Sequence, residues 1–231
     1  MQTIGLLGGM SWESTETYYR EINEGIKAGL GGLHSARICL YSVDFDEIEK
    51  LQNSGNWAET AVILSDAAKR IEAGGADFLV ICTNTMHKVA PEIEANINIP
   101  ILHIADATAD EIKAKGMSRV GLLGTRFTME QNFYKGRLNG YHGIEVIVPA
   151  AADREIVHRV IYNELCLGKS SEESRKEYVR IIESLAEQGA EGVILGCTEI
   201  ALLVQQQHTT VPLFDTTKIH AKKAVEKAIS D

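Results

Sequence analysis

The sequence predicts an α/β protein of two similar lobes with parallel-type sheets and an active site in the cleft between them. Short apolar runs typical of buried strands alternate along the chain with segments of helical length. Strands that alternate with helices in this way form parallel sheets covered on both faces. Internally repeated segments indicate that the two lobes are related by duplication.

Three pairs of segments repeat in the same order and at nearly constant spacing. They are Gly5–Gly8 with Gly121–Gly124, Gly75–Thr85 with Gly189–Glu199, and Pro100–Leu102 with Pro212–Phe214. In the second pair, Thr83 corresponds to Cys197. Because similar halves usually face each other, we expect Thr83 and Cys197 on opposite walls of one cleft.

Composition limits the classes of function. The chain has 231 residues, a formal net charge of −9 and no basic run, which argues against a nucleic-acid partner. No stretch approaches the ~18 apolar residues of a membrane span, and the first residues do not resemble a secretory signal, so we expect a cytoplasmic protein without a membrane partner. The four cysteines lack the CxxC spacing of metal sites, so we expect reduced thiols and no metal.

The first lobe is predicted to comprise residues 1–104 together with residues 216–231. Its strands are expected at 2–7, 36–43, 78–82 and 99–103, and its helices at 12–29, 57–73, 91–95 and 217–229. Ser11 or Ser14 is expected to cap the first helix. Residues 83–87 form the turn that follows the third strand.

The second lobe is predicted to comprise residues 105–215. It opens with a crossover helix at 106–115. Its strands are expected at 119–123, 144–148, 193–195 and 211–214, and its longer helices at 128–138, 153–165 and 172–188.

The turn Gly196–Glu199 presents a thiol, a hydroxyl and a carboxylate in succession. Ligands of open parallel sheets bind outside the carboxyl ends of the strands, so Cys197 is the candidate catalytic thiol. Backbone amides of the following helix are expected to lower its pKa. Cys39, Cys82 and Cys166 are interpreted as packing residues, because free cysteine is usually a small buried hydrophobe. Strand alternation turns Cys82 away from Cys197 and into the core.

The Gly8–Gly9 turn leaves two interpretations open. It either cradles an anion at the N-terminus of the first helix or is merely a tight turn. It lacks the full GxGxxG spacing and the acidic residue expected further on, so a dinucleotide cofactor is not favoured.

Four turns together resemble the aspartate/glutamate racemase family. They are Gly8–Met10, Thr83–Thr85 with His87, Gly124–Thr125 and Gly196–Glu199, and the resemblance covers essentially the whole chain in order. It implies an isomerase that racemises aspartate and glutamate, or a wider range of amino acids, without pyridoxal phosphate or metal. It also implies a homodimer. In this family two thiols flank the α-carbon, and one removes the α-proton while the other returns a proton to the opposite face.

The chain departs from the family pattern at one of these thiols. Cys197 matches the second family cysteine, which by analogy abstracts the α-proton of the L-enantiomer, but Thr83 stands where the first cysteine is typical. A hydroxyl has no easily reached anionic form, so Thr83 can donate a proton but is a poor base. We expect Cys197 to exchange the α-proton of the L-substrate more often than inversion occurs. Because enantiomers have equal free energies in water, kcat/KM is the same in both directions.

The matched turns are expected to hold the α-carboxylate and the amino group. The residues with suitable amides or hydroxyls are Met10, Thr83, Asn84, Thr85, Thr125 and Thr198. Glu199 either orients the amino group, tunes the thiol or is a solvated helix cap. Gln52 either reaches the side-chain end of the substrate or lies on the surface. His87 is expected to be a structural hydrogen-bonding residue rather than a base.

The sequence leaves open which side chain the substrate carries. An acidic side chain favours an Arg or Lys partner, and Arg126, Lys50, Lys88 and Lys169 lie near predicted loops. The alternatives are a broad-specificity racemase of neutral amino acids, an arylmalonate-type decarboxylase that needs only the second cysteine, and an amino-acid-binding protein that has lost catalysis. An acid–base Cys197 is expected to be the first of the four cysteines to react with iodoacetamide.

Overall fold

The computed structural model describes residues 1–230, which form two compact units. One unit comprises Met1–Ile104 and the chain from His220 onward, and the other comprises Ala105–Ile219. Each unit contains one sheet with all of its strands parallel, flanked by helices. The predicted α/β class with two parallel sheets is confirmed.

The first unit is built on a three-stranded sheet in the order β2-β1-β3. Its strands are β1 (Ile4–Gly8), β2 (Ile38–Ser42) and β3 (Phe78–Ile81). Its helices are α1 (Trp12–Leu30), α2 (Phe45–Ser54), α3 (Trp57–Ala73) and α4 (Ala90–Glu94), and a 3-10 helix (Thr85–Val89) precedes α4.

Strict alternation along the strands gives this sheet two buried faces. One face packs against α1 and the closing helix (Thr216–Ile229), and it carries Ile4, Leu6, Phe78, Val80 and Cys82. The other face packs against α3, and it carries Leu7, Leu79 and Ile81. The interpretation of Cys82 as a core residue is confirmed, because it is fully buried.

The start of α1 and the whole of α2 depend on local capping. The side chain of Ser11 accepts a hydrogen bond from the amide of Ser14 at 3.3 Å, so Ser11 is the cap, while the Ser14 hydroxyl donates to the carbonyl of Cys82 at 2.9 Å. Helix α2 was not predicted. Asp44 caps it through the amide of Asp46 at 3.1 Å, and Gly55 ends it in the left-handed conformation.

The strand predicted at residues 99–103 does not form. A single bridge joins Ile101 to Leu79, and beyond it histidine side chains take the backbone groups that a strand ladder would use. The carbonyl of Leu102 is hydrogen-bonded to His220 Nε2 at 2.7 Å, and the amide of Ile104 donates to His87 Nε2 at 3.2 Å. Leu79 of β3 holds the backbone on both sides of the bridge, because its amide donates to Pro100 and its carbonyl accepts from Leu102, each at 2.9 Å. Beyond these bonds the backbone is fixed by side chains.

The second unit repeats the strand order of the first and adds one strand. Its order is β5-β4-β6-β7, so β4, β5 and β6 occupy the places of β1, β2 and β3. The strands are β4 (Arg119–Gly124), β5 (Glu145–Ile147), β6 (Val193–Gly196) and β7 (Leu213–Asp215). The helices are α5 (Ile104–Ala114), α6 (Arg126–Glu130), α7 (Asn132–His142), α8 (Ala151–Asn163), α9 (Glu172–Glu187) and α10 (Ile200–Leu203), with 3-10 turns at Leu165–Leu167 and Gln206–His208. The closing helix α11 (Thr216–Ile229) begins in this unit and belongs to the first unit from His220 onward.

The single helix predicted at residues 128–138 is two helices. Gln131 has an extended backbone with ψ of 159°, which ends α6 and starts α7. The break lets the two helices pack on different partners. Helix α6 packs on β4 and α8, whereas α7 packs on β5.

Strands β4 and β6 approach so closely at their carboxyl ends that neither has room for a side chain. A Cβ atom on Gly124 would lie 2.9 Å from the carbonyl oxygen of Gly196, and one on Gly196 would lie 2.8 Å from that of Leu123. The residue before Cys197 is therefore restricted to glycine by packing.

Within residues 1–230, no helix is both long enough and apolar enough to cross a membrane.

His220 is a fully buried imidazole whose two nitrogens are both engaged. Nε2 donates to the carbonyl of Leu102, and Nδ1 accepts from the hydroxyl of Tyr18 at 2.8 Å. Burial lowers the pKa of His220 to about 4, whereas that of an unfolded histidine is ~6.5. The unfolded state therefore binds the proton first, and stability of order 3 kcal/mol is lost as pH falls from ~6.5 to about 4.

We predict that His220→Gln makes unfolding less dependent on pH. The glutamine amide can still donate to Leu102, but it does not titrate, so the free energy of unfolding should fall less steeply between pH 7 and pH 4.5 than in the wild type. Urea unfolding at a series of pH values measures both slopes. Tyr18 and His87 also face the His220 ring and are unchanged in the variant. Equal slopes would contradict the assignment.

Candidate active site

The candidate residues of the first unit lie at the carboxyl ends of the adjacent strands β1 and β3. Met10 follows β1, and Thr83, Asn84 and Thr85 follow β3. Met10, Asn84 and Thr85 are buried, whereas Thr83 is partly exposed. Gln52, on α2, is 2% exposed, so the surface alternative for this residue is wrong.

The glycine turn after β1 is closed by a side chain that the sequence analysis missed. The amide of Gly9 donates to Thr15 Oγ1 at 2.8 Å, and the Thr15 hydroxyl donates to the carbonyl of Ser11 at 2.9 Å. Gly9 has φ of +92°, and a Cβ there would lie 2.2 Å from the carbonyl oxygen of Val43. The Gly9 amide is therefore engaged within the turn, which favours the tight-turn interpretation over an anion cradle.

The turn that carries Thr83 is hydrogen-bonded to the side chain of His87. Nδ1 of His87 lies 2.8 Å from the carbonyl oxygen of Thr83, and its other nitrogen accepts from the amide of Ile104. Both nitrogens are thus bound to backbone groups. The prediction that His87 is a hydrogen-bonding residue of this turn is confirmed.

The candidate residues of the second unit lie at the carboxyl ends of the adjacent strands β4 and β6, where Gly124 pairs with Gly196. Thr125 is buried and caps α6 by accepting from the amide of Thr128 at 3.3 Å. Cys197 and Thr198 are partly exposed, and Glu199 is buried. Parallel pairing thus brings Thr125 and Cys197 to neighbouring positions at one sheet edge.

Glu199 receives two hydrogen bonds on the same carboxylate oxygen. The Cys197 thiol donates to Oε2 at 2.9 Å, and the Thr198 hydroxyl donates to it at 2.7 Å. Glu199 is only 4% exposed, so the interpretation of this residue as a solvated helix cap is wrong. Of the remaining alternatives, the geometry favours a carboxylate that tunes the thiol.

The structure overturns the expected lowering of the thiol pKa. Burial raises the pKa of Cys197 well above its usual value, and the charges of Glu199 and Cys166 raise it further. Helix α10 has only four residues, and the hydrogen bond from the Glu199 amide lowers the pKa of the thiol by less than burial and the Glu199 carboxylate raise it. Cys197 is therefore a protonated thiol at neutral pH, and preferential alkylation of the resting enzyme is not expected.

One residue near Cys197 has no sequence signal of its own. Tyr178, on α9, is fully buried, and its pKa is raised by burial and by the charges of Cys197, Glu164 and Cys166. Its hydroxyl donates to the carbonyl of Val157 at 2.9 Å. In the sequence, Tyr178 is one member of an ordinary apolar helical stripe, so periodicity assigns it to the core.

The four basic candidates differ in whether they are engaged elsewhere. Lys50 pairs with Asp46 at 2.6 Å, and the Lys88 ammonium lies 3.8 Å from the ring centroid of Trp57. Arg126 and Lys169 are exposed. Arg126 directly follows Thr125, while Lys169 follows the 3-10 turn that contains Cys166.

In the described part of the chain, residues 1–230, no group of three or more His, Cys, Asp or Glu side chains is placed to hold a metal ion.

We predict that Glu199→Gln makes Cys197 more reactive. Removing the carboxylate charge lowers the pKa of the thiol, although burial keeps it above its usual value, and alkylation at pH 8 should speed up on the order of 10-fold. Mass spectrometry of iodoacetamide-treated protein follows Cys197, with Cys39 and Cys166 as internal references. Thr198→Val, which keeps the charge, is the matched control. A rate no faster than that of the wild type would rule out this role for Glu199.

The whole chain has relatives among known proteins. A profile of the Asp/Glu/Hydantoin racemase family matches residues 7–224. The broad specificity amino-acid racemase RacX of Bacillus subtilis (strain 168) is 25% identical over 238 residues, with 96% of each chain covered.

Solved structures resemble the chain over its full length. A proposed Asp/Glu racemase from Yersinia pestis is 60% identical, with a TM-score of 0.93 and 100% of both chains covered. An aspartate racemase homologue from Pyrococcus horikoshii OT3 is 36% identical, with a TM-score of 0.86 and the same complete coverage.

Proposed function

The chain belongs to the Asp/Glu/Hydantoin racemase family and is an amino-acid racemase, and we propose that it inverts L-aspartate and L-glutamate without a cofactor. Cys197 transfers the proton at one face of the α-carbon, and Thr83 transfers a proton at the other face. The observation that carries this proposal is the hydrogen bond from the Cys197 thiol to a buried carboxylate at a strand end. By the family resemblance, we also propose that the enzyme is a cytoplasmic homodimer.

The Cys197–Glu199 pair supplies a route for generating the base. When the Sγ–H bond breaks, the proton moves to Oε2 of Glu199 along the existing hydrogen bond, leaving a thiolate beside a neutral carboxylic acid. The ammonium group of a bound amino acid favours this thiolate, because an opposite charge nearby lowers a thiol pKa. The thiolate then takes the α-proton of the L-enantiomer.

Thr83 acts on the other face as a proton donor. The α-carbanion is a stronger base than an alkoxide, so it can take the hydroxyl proton of Thr83. Water then restores the Thr83 proton, and Glu199 releases to water the proton that it received from Cys197. In the reverse direction an alkoxide must form first, which is unfavourable at neutral pH. The carbanion therefore returns to the L-enantiomer, reprotonated from Cys197, more often than it inverts.

We predict that exchange of the α-proton outpaces inversion and that single variants separate the two. In D2O with L-glutamate or L-aspartate, Cys197→Ala should lower both rates on the order of 10³-fold, since a general acid–base group contributes about 10²–10⁴. Thr83→Ala should lower inversion on the order of 10²-fold while leaving exchange within about 3-fold. Thr83→Cys should raise inversion relative to exchange.

Proton NMR measures loss of the α-proton signal, and chiral chromatography measures the D-enantiomer in the same samples. Equal exchange and inversion rates in the wild type would refute the asymmetric site. No exchange with either acid would refute the acidic substrates and point to a neutral amino acid.

We propose Lys169 as the partner of the substrate's side-chain carboxylate. Its loop carries Cys166, whose charge acts on Cys197, so this loop reaches the thiol. Arg126 is the competing candidate, since it is exposed next to Thr125.

We predict that Lys169→Met raises KM for glutamate about 10- to 100-fold, because it removes one charge-assisted hydrogen bond. Arg126→Met should change KM by less than about 3-fold. Lys50→Met, which breaks only the surface pair with Asp46, is the matched control. Steady-state kinetics with both acids decide between the two candidates, and a larger effect of Arg126→Met would reverse the assignment.

A further inference from the structure

Two buried histidines hold the segment of residues 102–104, which lies where the first unit passes into α5. His220 donates from Nε2 to the carbonyl of Leu102, and His87 accepts on Nε2 from the amide of Ile104. The residue between them, His103, is 8% exposed, and its ring centroid lies 4.4 Å from that of His87. The segment is thus anchored on both sides by imidazoles.

The partners of His87 determine its protonation state. A carbonyl oxygen only accepts, so Nδ1, 2.8 Å from the oxygen of Thr83, carries a hydrogen. A backbone amide only donates, so Nε2, 3.2 Å from the nitrogen of Ile104, carries a lone pair. His87 is therefore a neutral imidazole with its hydrogen on Nδ1. It is 2% exposed and joins two backbone groups that lie far apart in sequence.

We propose that His87 is a positioning residue that sets the place of Thr83 by tying its peptide to the anchored segment at Ile104. This inference rests on the proposed function for the role of Thr83 as the second proton donor. The carbonyl that His87 holds belongs to Thr83 itself, so a shift of the imidazole moves the peptide from which the Thr83 hydroxyl projects. His87 acts through Thr83 and does not itself exchange protons with the substrate.

This anchoring matters more for a hydroxyl than it would for a thiol. A poor acid has little driving force for proton transfer, so its rate depends on a short and well-aligned approach to the carbanion. A misplacement of about 1 Å at a reacting group can cost on the order of 10²-fold. Without the bond to His87, the Thr83 carbonyl would be free to rotate with the turn.

Two amide variants separate the two bonds of His87. Asparagine places an amide where Nδ1 lies, so His87→Asn can still donate to Thr83 but cannot reach Ile104. Glutamine places an amide where Nε2 lies, so His87→Gln can still accept from Ile104 but loses Thr83. His220→Gln is the matched control, because it alters a neighbouring buried histidine while keeping the donor to Leu102. Thermal unfolding establishes that each variant is folded.

Amide hydrogen exchange tests the anchor without any substrate. The Ile104 amide should be protected in the wild type and in His87→Gln, and should exchange at least about 10-fold faster in His87→Asn. Nitrogen-15 NMR should show the His87 hydrogen on Nδ1. Equal protection of Ile104 in both His87 variants would overturn the proposed connection whatever the substrate of the enzyme is.

The ratio of inversion to α-proton exchange tests the effect on Thr83. His87→Gln should lower this ratio about 10-fold, because only the Thr83 face is disturbed, whereas His220→Gln should leave it unchanged. If His87→Gln lowers the rates of exchange and inversion to the same extent, His87 has a structural role only, and the proposed positioning of Thr83 is wrong. A wild type without exchange would instead refute the proposed substrates, and the protection of Ile104 would still decide the connection.

Discussion

Parallel strand pairing is the constraint on which the arrangement of the candidate site residues depends. Because the carboxyl ends of parallel strands share one sheet edge, β1 and β3 place Met10 and Thr83 together, and β4 and β6 place Thr125 and Cys197 together. Short turns then carry the functional groups, with no long loop to order. The groups are set on rigid elements, which suits a reaction that moves a proton over a short distance.

The local charge around Cys197 works against the reaction until substrate arrives. The partly buried thiol beside the carboxylate of Glu199 stays protonated, whereas the thiolate is the form that reacts with alkylating and oxidising agents. In the proposed mechanism the ammonium group of the amino acid brings a positive charge to this turn, so formation of the base is linked to substrate binding.

The sequence was sufficient for the elements with strong periodicity and for the identity of the strand-end residues. Alternation along β3 places Cys82 in the core, and the repeat identifies Thr83 and Cys197. The sequence was not sufficient at residues 102–104, where histidine side chains are hydrogen-bonded to backbone groups. An apolar run does not show which groups its backbone amides and carbonyls bind. The direction of the thiol pKa shift does not follow from the sequence either, since it depends on burial of the thiol and on the Glu199 side chain folding back over its own turn.

The two halves of the repeat are no longer interchangeable at their strand ends. In the second unit the position before Cys197 has no room for a side chain, while in the first unit the equivalent Cys82 fits because its thiol turns under α1 and its carbonyl is held by Ser14. A slip of one residue that brought Cys82 into the place of Thr83 would break that bond and turn the whole strand over. A second thiol at this strand end therefore requires the amino-acid substitution Thr83→Cys and cannot be gained by sliding the strand.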